Sequence, residues 1–190
     1  MTTWLRLARA IDRLTGWIGR SVAWLALVLV LIGAFNAIAR YAGRFLGVSL
    51  SSNAWIELQW YLFSAIFLLG SAYALREDAH VRVDVLFAGF SERLKAWINI
   101  AGTLLLLLPF SAFMLWVSLP AVRNSWRIRE GSPDPGGLAR WPLKTLVLLC
   151  FALLLLQGVA ELIKQIARLR DLPPHATHGA ERATHGREGL

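Results

Sequence analysis

Four long apolar stretches, divided by short polar segments, set the plan of this 190-residue chain. Residues 21–39, 58–75, 96–122 and 145–160 contain no Asp, Glu, Lys or Arg. A helix that crosses a hydrocarbon core about 30 Å thick needs roughly 20 mostly apolar residues. Backbone amides cannot stay unpaired in lipid, so each stretch predicts a transmembrane helix. The fourth stretch is short, and residues 141–144 extend it at the interface. The expected fold is an all-α integral membrane protein with four spans, at about 21–41, 53–75, 95–120 and 141–164. Together they form a membrane domain over 21–166.

The polar pattern places the boundaries. Residues 4–18 are amphipathic at helical spacing, with Trp4, Leu7, Ala8, Ile11, Leu14 and Ile18 near one face. Arg6, Arg9 and Arg13 lie on the other, which predicts an interfacial N-terminal segment over 1–20 with its arginines toward anionic lipid. A plain extension of the first span is the simpler reading of the same residues. Ser91 is a candidate N-cap for the third helix, with Glu92 in its first turn. Pro109 lies mid-span and predicts a kink. Gly131-Ser132-Pro133-Asp134-Pro135-Gly136-Gly137 reads as a rigid turn, and Trp141-Pro142 opens the last helix. Between the second and third helices, residues 80–85 alternate polar and apolar, a strand-like period with no partner strand. The tail over 167–190 carries Pro173-Pro174 and two Ala-Thr-His-Gly copies, and is predicted disordered.

Composition and charge refine this. Mean hydropathy is +0.52 and only 17% of residues are charged, against about 25% for a soluble domain. The formal charge of +8 does not indicate nucleic acid, because the basic residues flank the apolar runs. Thirteen of the 20 Lys and Arg residues fall in the N-terminal segment, the second loop and the C-terminal segment, against seven in the other two loops. The bias puts both termini in the cytoplasm. Trp17, Trp24, Trp55, Trp97, Trp116, Trp126 and Trp141 fall near predicted helix ends, as an interface belt does. The first apolar run is longer than the core of a signal peptide, so it is expected to remain as a helix. Cys150 is the only cysteine, so no disulfide or cysteine-based metal framework is expected.

Ionisable groups within a span are costly and often functional. Glu57, at the start of the second helix, and Arg40, at the end of the first, are the candidates. A short hairpin joins these helices, so an ion pair between the two is one reading. The other is that one of them meets another subunit. Gln157, with Asn36, Gln59 and Asn99, is a candidate interhelical hydrogen bonder. His80 and Asp84 fit a hydrogen-bonded pair fixing the helix 2–3 connection better than a metal site. No chain of titratable groups crosses the bilayer, and no matched pair of broken helices marks a solute site. No catalytic residue, metal or cofactor is expected.

Several ordered motifs carry a resemblance. Arg40-Tyr41 closes the first helix and Trp55-Ile56-Glu57-Leu58 opens the second. Leu69-Gly70-Ser71-Ala72-Tyr73-Ala74-Leu75-Arg76-Glu77-Asp78 then runs into His80-Val81-Arg82-Val83-Asp84-Val85. Ser132-Pro133-Asp134-Pro135-Gly136-Gly137-Leu138, Trp141-Pro142-Leu143-Lys144 and Gln157 follow. In this order, over about residues 20–165, the chain resembles the small permease subunit (DctQ type) of tripartite ATP-independent periplasmic (TRAP) transporters. That family often has a second acidic residue beside the position of Glu57, whereas here the neighbours are Ile56 and Leu58. The resemblance implies a larger permease subunit that carries substrate and sodium sites, and a periplasmic binding protein that delivers an organic acid or similar solute. This chain would brace that permease in the bacterial inner membrane. Arg127 and Arg129, in the basic third loop, are then candidates for docking the binding protein. A stand-alone assembly or sensor protein, and a small membrane enzyme using His80, Asp84 and Glu57, are the alternatives. Glu57 is expected on the opposite membrane face from the other two, which counts against the enzyme.

Overall fold

The computed structural model describes residues 2–48, 50–79 and 89–171. Among them the regular structure is helical and falls into four membrane-length rods. These are α1 (Thr2–Leu46), α2 (Asn53–Arg76), α3 (Glu92–Arg127) and α4 (Trp141–Asp171). His80, Asp84 and the residues from 172 onward, including His178 and His185, lie outside the described residues.

Helix and span are different lengths here. At 1.5 Å per residue, α1 is about 68 Å long and α4 about 46 Å, well beyond the hydrocarbon thickness. The amphipathic segment does not form a separate surface helix. It is the first part of α1, because nothing between Trp4 and Ala39 breaks the helix and part of its apolar face is covered by protein. Ala8 and Ile11 are buried together with Ala160, and Ile163 packs against them. Trp4, Leu7 and Leu14 remain exposed.

The helices pack unequally. α1 pairs with α2, both pack on α4, and α3 packs chiefly on α4. Thus α4 is the shared neighbour of the other three. The α1–α2 crossing is close at Gly19, where an added Cβ would lie 2.3 Å from the Tyr73 ring. Only a residue without a side chain lets the Tyr73 ring pack this closely on α1.

The ends of α3 follow local chemistry. Ser91 caps it, accepting a hydrogen bond from the Leu94 amide at 3.3 Å. Mid-helix, Thr103–Leu107 forms a π-helical turn, with the Leu108 amide bonded to the Thr103 carbonyl. Pro109 follows directly and cannot donate to the preceding turn. The wider turn is how this helix accommodates the break that the sequence predicts as a kink. Leu107 and Leu108, adjacent in sequence, both reach the same glycine of α4, Gly158.

Most of the outer surface is apolar. Phe45, Leu106, Trp24 and Phe67 are each about 70% exposed or more. Contiguous exposed apolar surface on this scale marks contact with lipid or protein. The chain is a multi-pass membrane protein.

Candidate functional site

Asn53, Glu57 and Tyr61 are spaced four apart in α2, so they share one helix face. That face is occupied by the loop of residues 128–140, between α3 and α4. The Asn53 amide donates to the Pro135 carbonyl at 3.0 Å. The Tyr61 hydroxyl donates to the Ala139 carbonyl at 3.1 Å. Between them, the Glu57 carboxylate accepts from the Leu138 amide at 2.5 Å and from the Ser132 hydroxyl. Glu57 is only 3% exposed.

The loop sequence explains why it fits. The Ser132 hydroxyl also accepts from the Asp134 amide at 3.1 Å, and the Gly137 amide donates to the Asp134 carbonyl at 3.0 Å. Gly137 sits where any Cβ would meet Ser132 at 2.4 Å and the Glu57 carboxylate at 2.7 Å. The Ser-Pro-Asp-Pro-Gly-Gly turn therefore folds back so that Ser132 and Leu138 aim at one carboxylate. The loop closes at its base, where the Arg140 amide donates to the Glu130 carbonyl at 2.8 Å. Lys144 and Glu130 pair at 2.5 Å, and this hydrogen bond holds the Glu130 carboxyl below its ordinary value. The Trp126 and Trp141 rings, 4.2 Å apart, close the two helix ends beside it.

A second polar cluster lies at the opposite end of the bundle. Gln157 of α4 is fully buried. Its carbonyl oxygen accepts from Thr15 at 2.8 Å, and its amide donates to Asp12 at 2.8 Å and to Glu161 at 3.1 Å. Lys164 joins Asp12 at 3.1 Å and Glu161 at 2.6 Å. Every group in this cluster has a partner, the condition under which buried polar networks hold helices together.

The sequence candidates separate accordingly. Glu57 and Arg40 do not form an ion pair. Arg40 is exposed on α1, and the loop supplies the donors that an arginine would have given. Gln157 is an interhelical hydrogen bonder, as its type suggests. Arg127 ends α3 and Arg129 follows with φ 47°, and both side chains are exposed. Sequence reading missed Asp12, Thr15, Ser132 and Lys144 as partners. Asp12 was the available signal, since it is the one acid among the arginines of the N-terminal segment. Among the described residues, no three His, Cys, Asp or Glu side chains converge as a metal site. Both clusters hold elements in place. Glu57, with a donor on each oxygen, is an anchor for the loop.

No curated protein and no solved structure gives a match to this chain. The family model for tripartite ATP-independent periplasmic transporters, DctQ component, matches residues 29–168. That span runs from within α1 to near the end of α4, and contains Glu57, the loop that binds it and Gln157. The chain therefore belongs to the DctQ family, the small membrane component of TRAP transporters.

Proposed function

We propose that this chain is the scaffold subunit of a sodium-driven, binding-protein-dependent transporter for organic acids or related solutes in the bacterial inner membrane. Its partners are the large TRAP permease subunit, a periplasmic substrate-binding protein and membrane lipid. It holds neither solute nor sodium. The observation that carries this reading is the use made of its buried polar groups: Glu57 and Gln157 both tie helices and loop to one another. The outward faces are apolar and suited to a membrane-embedded partner. The charge bias supports an orientation with both termini in the cytoplasm and the 128–140 loop in the periplasm.

On that topology Arg127 and Arg129 face the periplasm and dock acidic groups of the binding protein. Reversing both charges is expected to weaken docking and uptake while leaving assembly intact, and unchanged docking sinks this assignment. Arg40, exposed at the same end, is assigned to a contact with the large subunit. His80 and Asp84 are assigned to fixing the helix 2–3 connection. Asp84→Ala should then lower assembly more than transport per assembled complex.

The subunit reading is tested by affinity purification of the full chain from mild detergent. A stoichiometric, larger polytopic partner is the expected result. Recovery of this chain alone, stable and folded, overturns it and favours a stand-alone sensor or assembly role.

A further inference from the structure

We propose that a cleft between the end of α2, the first half of α3 and the end of α4 binds the headgroup of a zwitterionic phospholipid, one carrying a phosphate and a primary ammonium. α2 and α3 both pack on α4 and share no extensive contact with each other, which leaves a space between them. At the end of α2 this space is a cavity of about 500 Å³, within the range of small-molecule sites.

Its lining has the right chemistry. Arg76 and Arg168 supply two cations, and Asp78 and Glu161 two carboxylates, so the wall is dipolar but formally neutral. A neutral dipolar site complements a zwitterion better than a net anion. Asn99 and Thr103 add an amide and a hydroxyl. Gln165 of α4 lines the cavity as well, with its side-chain oxygen buried out of reach of it. The carboxylates of Asp78 and Glu161 are the lining groups suited to a ligand ammonium. The acidic partners of the two arginines are not themselves lining residues: Arg76, whose guanidinium also packs against Gly16 of α1, meets Glu77 at 3.5 Å, and Arg168 meets Glu92 at 2.6 Å. Such exposed pairs are weak and exchangeable, so a phosphate can take their place.

The position selects a lipid over a free solute. α2 is 24 residues long, about 36 Å, and so reaches from one headgroup layer to the other. Arg76 is its last residue, at headgroup level. Leu75, Ile98 and Leu107 line the same cavity and give acyl chains an apolar wall. The α3 wall includes Gly102 and part of the π-helical turn, a distortion often found at functional sites.

The test is native mass spectrometry of the full chain in mild detergent, titrated with phosphatidylethanolamine, phosphatidylglycerol and soluble phosphoethanolamine. Retention of phosphatidylethanolamine about tenfold over phosphatidylglycerol is expected from the charge match. Asn99→Ala and Arg168→Ala should each weaken it severalfold, with helicity and melting unchanged. Asp78→Asn leaves the wall net positive and should reduce the preference between the two lipids, a ratio read within one folded sample. Equal retention of both lipids overturns the proposal. So does soluble phosphoethanolamine binding as tightly as the intact lipid, which would mark a solute site.

Discussion

Glu57 is held by two donors from one loop, so its loss acts on the loop as well as on the helix. Glu57→Ala leaves the Leu138 amide and the Ser132 hydroxyl without their acceptor, and is expected to destabilise the protein by about 1–3 kcal/mol. Glu57→Gln keeps an acceptor and should cost less. Thermal melting in detergent, with protease cutting between residues 128 and 140 as local readout, checks both; equal melting of all three proteins removes Glu57 as the anchor. Gln157 is tested differently, because it has several partners. Gln157→Leu and Thr15→Val should each destabilise by about 1 kcal/mol and combine less than additively, since they break one shared bond. A strictly additive pair would mean the two act independently. At this scale the sequence was partly legible. A carboxylate at a helix start and an amide within a span announce that they need partners. Which partners they find is a matter of tertiary geometry: Ser132 is 75 residues from Glu57, and Thr15 is 142 from Gln157.

Helices were legible from hydropathy because lipid forces backbone hydrogen bonding inside each segment. Their ends were not, because hydropathy reports the bilayer and helical geometry does not stop there. α1 and α4 run on as a pair past the end of α2, held by the Asp12–Gln157–Lys164 cluster. The π-helical turn was invisible in the same way: Pro109 announced a break without saying how it would be absorbed. The loop of 128–140 makes a pH prediction of its own. The Lys144 ammonium holds the folded Glu130 carboxyl below its ordinary value of 4.5. Its stabilising contribution is therefore present above that value, and is lost as pH falls below 4.5 through the lowered folded value. Fluorescence of the neighbouring Trp126–Trp141 pair should report loop loosening over that acid range, and Lys144→Ala should weaken the pH response. An unaltered response in the variant would place its origin elsewhere.

For the molecule as a whole, one arrangement matters most: α4 is the neighbour common to all the other helices, and it is the last of the four in the chain. Synthesis runs from the other end. Asp12, Thr15 and Glu57 are made early, and their partners at Ser132, Leu138 and Gln157 come late. A ribosome therefore delivers an α1–α2 hairpin to the membrane with a carboxylate near one face and a Thr–Asp pair near the other, all waiting for partners. Such a chain stopped at residue 128 should insert and yet fail to mature, and pulse-chase labelling should show it degraded several times faster than the full-length chain, by analogy with the abundance loss that weakened folding produces. Equal lifetimes would show that α1, α2 and α3 are stable without the loop and α4. On that expectation, completion of the loop and the last helix is what first covers the polar groups that mark the chain as unfinished.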